Sequence, residues 1–186
     1  MNVERIENVA TLLEKNTLVW ERHFSVEPEK LWSAIATKDG LSHWFMSIKS
    51  EIEEGGRFSF EGGWDGKVTQ VRPQRFIQFT PDESDQAYLR FEIKKVEGGC
   101  LFRLVDKMGP KADPAVIFDQ DVPEHLKYQP GGIGTHWSGA ISGYHGFVDG
   151  LERYITGKKI DFDYDVMNKK YMSLQDEWLA SGKYLE

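Results

Sequence analysis

Cysteine is almost missing from this 186-residue chain, which has one, Cys100. A lone thiol closes no internal disulfide and builds no thiolate cluster, which suits a reducing compartment. Lying in a stretch that reads as a strand, Cys100 is expected to pack as a small hydrophobe. Long apolar runs are lacking as well. Residues 1–14 are broken by Glu4, Arg5, Glu7 and Glu14, and nothing approaches the ~20 apolar residues of a membrane span or the core of a signal peptide. A cytoplasmic protein with no membrane partner is expected. There is no basic excess either: 23 Lys and Arg face 30 Asp and Glu, for a net charge of −7. Nucleic-acid binders gain most of their affinity from phosphate contacts along a basic stripe, so nucleic acid is excluded as a partner.

What the chain does have is core material. Hydrophobic residues make up 40% and aromatics 13%, with 6 Trp and 11 Phe spread along the whole length. That suffices for one domain with a sizeable core. Residues 2–14 place Val3, Ile6, Val9, Ala10 and Leu13 at helical spacing. A strand is expected at Leu18–Val26. Pro28 then suits a first helical turn, with Leu31, Trp32 and Ile35 on one face, and a second short helix begins near Thr37 and carries Leu41, Trp44 and Phe45. From there the period changes to two. Segments 46–54, 57–61, 64–72, 75–80, 87–95 and 100–106 read as strands, divided by turn signals such as Gly55-Gly56, Arg72-Pro73 and Gly98-Gly99. Links this short imply antiparallel hairpins.

A long, proline-bearing loop at 107–134 follows and ends in Gly131-Gly132-Ile133-Gly134. Connections of that length in compact domains are usually lids or binding loops. From His136 to Gly157 a helix sets Trp137, Ile141, Tyr144, Val148, Leu151 and Ile155 on one face, and a last helix carries Met167, Tyr171, Leu174 and Trp178. The pattern gives an α+β helix-grip domain: about seven curved antiparallel strands wrapped around the long C-terminal helix. Its expected divisions are a helical extension at 1–16, the grip at 17–160 with 107–134 as loop or lid, and a helical tail at 161–186 packed on the same domain.

Residues that could carry chemistry are few. Gly139, Gly143, Gly146 and Gly150 share one arc of the long helix, at a cost of about 1 kcal/mol each relative to Ala. Close packing of the helix backbone against the C-terminal segment or a second protomer explains such a stripe, and room for a ligand is the competing explanation. None of the His pairs has the spacing that sets two metal ligands on one helix face, and His136 and His145 point to opposite sides. Asp161, Asp163 and Asp165 imitate a calcium loop whose glycine and closing glutamate positions hold Val166 and Met172. The glycine run before the long helix lacks the lysine of a phosphate loop. No metal and no cofactor are therefore expected.

Alternation brings Phe58, Phe60, Val68, Gln70, Ile77, Phe79, Leu89, Phe91, Ile93, Phe102 and Leu104 to one face of the sheet. With Trp44, His136, Tyr144 and Val148, most of these form the expected lining of a cavity between sheet and helix. Gln70, Tyr144, Arg90 and His136 are the polar groups that could orient a ligand there. No nucleophile–base–orienter set is visible, so catalytic residues stay unassigned.

Several motifs resemble those of a known family. Glu27-Pro28-Glu29-Lys30-Leu31-Trp32, Leu41-Ser42-His43-Trp44-Phe45 and Gly55-Gly56-Arg57-Phe58 are similar to the opening motifs of the START/Bet v-like (SRPBCC) superfamily, in the branch named after the activator of the heat-shock-protein-90 ATPase. Arg72-Pro73, Leu89-Arg90-Phe91-Glu92 and Gly99-Cys100-Leu101-Phe102-Arg103-Leu104 extend the likeness. Gly143-Tyr144-His145, Asp149, Leu151 and Gly157 look like the branch's Gly-Trp-His helix, with Tyr144 where Trp is usual. The resemblance covers roughly 17–160 and implies the helix-grip fold with a ligand cavity, but no single activity. The first expectation is a binder of a small apolar or amphipathic molecule. The alternatives are a cyclase- or hydrolase-like enzyme using Tyr144, His136 or His145, and a homodimeric or co-chaperone-like interaction module.

Overall fold

The computed structural model describes residues 8–14, 17–108 and 136–181, with side chains for all of these except 14, 136–139 and 179. The expected lid from residue 109 onward, with its glycine run, lies outside the described residues, as do residues 1–7. Seven strands form one antiparallel sheet: β1 (Thr11–Glu14), β2 (Thr17–Phe24), β3 (Arg57–Phe60), β4 (Trp64–Arg72), β5 (Phe76–Pro81), β6 (Tyr88–Val96) and β7 (Gly99–Lys107). Their spatial order is β1-β2-β7-β6-β5-β4-β3, so the first long strand closes against the last. The sheet curves around α3 (His136–Thr156), which is the helix-grip arrangement of the α+β class. Two short helices, α1 (Pro28–Ala36) and α2 (Lys38–Ser42), fill the link between β2 and β3, and α4 (Tyr164–Ala180) packs on α3.

Local chemistry accounts for these elements. Pro28 opens α1, where its missing N–H would have had no helical partner. The Thr37 hydroxyl caps α2 by accepting from the Gly40 N–H at 2.9 Å. At the β6–β7 turn Gly98 has φ 78 and Gly99 φ 146, and a side chain on Gly99 would overlap the Phe24 carbonyl.

Two expected elements differ. Thr11–Glu14 is a strand, not part of a helix, and pairs with β2. Ala10 and Leu12 are buried while Leu13 is 55% exposed, a period-two pattern that lets this segment cover the free edge of β2. The segment 46–54 is not a strand. It touches the sheet at one bridge, Ile48 to Phe60, because Ile48 is its only fully buried anchor. The strand total is seven all the same, with one edge exchanged for another.

Candidate functional site

The concave face of the sheet is an aromatic wall. Phe58, Phe60, Val68, Phe79, Phe91, Phe102 and Leu104 are all buried, and Trp44 and Val148 close on them from the helical side. Their rings interlock edge to face: Trp44 stands 5.1 Å from Phe91 and 5.8 Å from Phe102, and Phe79 stands 5.6 Å from Phe91. Trp44 is pinned by an indole N–H donated to the Ala34 carbonyl at 2.9 Å. Such contacts contribute about 0.5–1.5 kcal/mol per pair beyond area burial.

Two polar groups fall elsewhere than expected. A bulge between Val68 and Gln70 shifts the β4–β5 register, so that Val68 opposes Phe79 but Gln70 opposes Gln78. Cross-strand partners share a face, so Gln70 belongs with Gln78 on the convex side and Val71 takes the inner position opposite Ile77. Arg90 is convex as well. Its guanidinium lies over the Phe76 and Tyr88 rings at 5.0 and 4.7 Å and donates to Gln78. The side chain of His136 lies outside the described residues.

Tyr144, in contrast, meets a polar partner inside the grip. On β7 the inner positions run Cys100, Phe102, Leu104 and then Asp106, whose cross-strand neighbours are Leu18 on β2 and Leu89 on β6. Both leucines are buried, so the carboxyl sits among apolar side chains. Burial pushes its pKa up to about 7, and among the described residues no cation offsets it. Burial also raises the Tyr144 phenol well above its ordinary value, and the Asp106 charge adds to that rise. The Trp20 ring, 5.5 Å from that of Tyr144, forms a third side. Asp106 and Tyr144 both keep some accessible surface although protein surrounds them. Both are half-buried at the end of the apolar face rather than sealed within it. The signal for Asp106 was present in the strand alternation, two residues beyond Leu104.

His145 has a structural environment. It is buried in a network that joins the N-terminal segment, β2, α3 and α4. The Tyr171 hydroxyl oxygen accepts from Trp20 Nε1 at 2.8 Å and from the Ala10 N–H at 2.9 Å. Its lone pairs are then used, so its O–H donates to His145 Nδ1 at 2.7 Å. His145 Nε2 lies 3.3 Å from Arg22 Nη2 and 3.5 Å from Asp149 Oδ1. Arg22 donates to Asp149 at 2.8 Å and to the Asn8 carbonyl at 2.8 Å, and lies 3.5 Å from Glu152. Burial lowers the His145 pKa to about 4; Asp149 opposes this and Arg22 reinforces it. The imidazole is thus neutral at physiological pH and its nitrogens are engaged. Arg22 shares the inner phase of Leu18, Trp20 and Phe24 on β2, and Asp149 follows His145 by one helical turn. Those two sequence signals mark the network.

The glycine stripe of α3 divides. A Cβ on Gly146 would meet the Phe162 ring at 2.9 Å, and one on Gly150 would meet the Trp44 carbonyl at 3.1 Å. These two glycines let the chain's own segments approach. A Cβ on Gly143 would meet nothing within 4 Å among the described residues. Among the described residues no cluster of metal-ligating side chains exists, and no helix is long and apolar enough to cross a membrane.

This architecture, a curved sheet closed on one long helix, defines the class of helix-grip proteins. Within that class the chain belongs to the family described as Activator of Hsp90 ATPase homolog 1-like protein, which matches residues 25–132. No curated protein sequence matches. Among solved structures, EF2215 from Enterococcus faecalis is 18% identical over 90% of this chain and 91% of its own, with a TM-score of 0.62. CalU16 from Micromonospora echinospora is 14% identical over 86% of each chain, with a TM-score of 0.61. BH1534 from Bacillus halodurans is 24% identical over 79% of this chain and 98% of its own, with a TM-score of 0.56. At these identities the likeness is one of fold.

Proposed function

We propose that the protein binds a small amphipathic molecule between the concave sheet face and α3, its polar end at Asp106 and Tyr144 and its apolar body towards the aromatic wall. The observation that carries this reading is the Asp106–Tyr144 pair, two half-buried, desolvated polar groups at the end of an otherwise apolar face. Ligand sites have this composition: mostly apolar walls with a few polar groups that fix orientation. A desolvated carboxyl with no cation beside it among the described residues is unfavourable, and a ligand hydroxyl or amine would supply a partner. With its pKa near 7, Asp106 accepts from or donates to a neutral hydroxyl, whereas an anionic head group is repelled by its ionised form. The preferred ligand is therefore a neutral, hydroxyl-bearing aromatic or aliphatic molecule.

Thermal unfolding with 2-naphthol, decanol and flavones tests this. A ligand at a hundredfold its Kd adds about 2.7 kcal/mol, or roughly 5–10 °C in Tm for a chain of this size. Asp106→Asn and Tyr144→Phe should each reduce that shift relative to their own unliganded Tm. If none of these compounds moves the Tm, and native mass spectrometry of freshly isolated protein shows only the bare mass, the reading fails.

A second reading has one observation in its favour. A carboxyl with a pKa near 7 suits general acid–base work, with Asp106 taking a proton and the Tyr144 hydroxyl donating to developing charge. It requires that a bound compound be converted, with a rate profile that inflects near pH 7 and loses the inflection in Asp106→Asn.

A further inference from the structure

A recess opens along α3 on the far side of the Phe147 ring, which stands 6.3 Å from that of Tyr144. It is a cleft of about 370 Å³ between the end of α2 and the exposed arc of α3. Phe45 and Phe147 form its floor with ring centroids 4.6 Å apart, and Phe162 stands at one side. The cleft is wedge-shaped for a reason visible in the glycines. At Gly150 the helix backbone lies close against Trp44, and at Gly146 it lies against Phe162, but at Gly143 the walls have parted. Packing explains the first two glycines and leaves the third without a packing partner among the described residues. A glycine in a helix interior is unfavourable by about 1 kcal/mol relative to Ala, so the open space at Gly143 is the feature in need of an occupant.

The rim sets the charge of that occupant. None of the lining residues is acidic, while His43 and Arg153 are both present. His43 lies 3.7 Å from Asp39 and stacks on Tyr154 at 4.6 Å, so its ring is already committed. Arg153 has no carboxylate partner among the described residues. Its Nη1 donates to the Ile160 carbonyl at 3.2 Å, and its guanidinium makes no other hydrogen bond among the described residues. A guanidinium at the edge of an aromatic floor matches a planar carboxylate, which it can meet with two parallel hydrogen bonds.

We propose that this cleft is a second binding site, for a small aromatic or medium-chain carboxylate, whose apolar part lies on Phe45, Phe147 and the bare backbone at Gly143 and whose carboxylate meets Arg153. It selects the charge that the Asp106 side disfavours, which tells the two sites apart. The volume, about 370 Å³, is at the lower end of the range of small-molecule pockets, which fits a two-ring acid and excludes a folded peptide.

The test is an amide NMR titration of the full chain with 2-naphthoate, using 2-naphthol as the neutral counterpart. Naphthoate should saturate and shift the Arg153 side-chain Nε–H and the amides of Gly146 and Gly150, and naphthol, whose proposed place is beside Tyr144, should leave these in place. Gly143→Leu, which fills the wedge, should abolish those shifts, and Arg153→Gln should weaken binding at least tenfold. Asp106→Asn should bind naphthoate as the unaltered protein does. Arg153→Gln, an exposed change, keeps the test valid if Gly143→Leu does not fold. The inference is overturned if naphthoate gives no saturable shift up to its solubility limit, or if Arg153→Gln binds as tightly as the unaltered chain. Loss of binding in Asp106→Asn alone would also overturn it, because the acid would then sit beside Asp106.

Discussion

Burial moves Asp106 and His145 in opposite directions on the pH scale, and the consequences for stability have opposite signs. The folded-state pKa of Asp106, about 7, lies above its ordinary value of 3.8, so its contribution is full below 3.8 and is lost as pH rises towards 7. His145, lowered to about 4 from 6.5, contributes fully above 6.5 and loses stability as pH falls towards 4. Between pH 4 and 6.5 the two trends oppose each other. Asp106→Asn should therefore match the unaltered protein near pH 4 and exceed it by roughly 1–3 kcal/mol at pH 8. It should also reveal a steeper loss of stability on acidification, owing to His145. Urea unfolding across this range measures both effects, and a variant no more stable at pH 8 would mean that the carboxyl is not desolvated. Tyr171→Phe makes a second residue-scale case. It strips partners from Trp20 Nε1, the Ala10 N–H and His145 Nδ1 at once. A loss of about 2–4 kcal/mol is expected, since each buried group left unpaired is unfavourable by ~1–3 kcal/mol and some relax. Gly143→Ala and Gly146→Ala should differ in effect. The first stabilises by up to about 1 kcal/mol, whereas the second must displace the Phe162 ring and gives no gain.

Among the elements, those with strong periodicity could be read before any coordinates. The stripe Ile141, Val148, Leu151 and Ile155 is buried along α3, and Met167, Tyr171 and Trp178 are buried along α4. Six of the seven strands fall where alternation and glycine turns put them within a residue or two. The failures have physical causes. Residues 9–13 satisfy a helical and an alternating pattern equally over so short a span, and the free edge of β2 decides for the strand. The 46–54 segment has too few alternating apolar anchors to hold a ladder. The β4 bulge leaves no mark in the residue pattern, yet it reverses the face of Gln70. α4 yields a prediction at this scale. Because Tyr171 and Trp178 are core residues, removal of residues 160–186 should abolish cooperative unfolding rather than yield a trimmed domain. A truncated chain that still melts sharply would show α4 to be an appendage.

For the molecule as a whole, the fold and the family were legible because ordered motifs and short hairpin links leave few ways to arrange the chain. The aromatic wall was legible for the same reason. The polar half of the site was not, because Asp106 is one acid among 30 Asp and Glu and only its position in the β7 alternation sets it apart. Its consequence for function depends on the apolar neighbours supplied by β2 and β6, which are distant in sequence. The most direct test of the amphiphile-binding account is the carbon-13 signal of the Asp106 carboxyl, followed through pH with and without 2-naphthol. The account requires a midpoint near 7 in the free protein and a displaced midpoint when the hydroxyl binds the carboxyl. A midpoint in the ordinary carboxylate range, unmoved by the ligand, would contradict it.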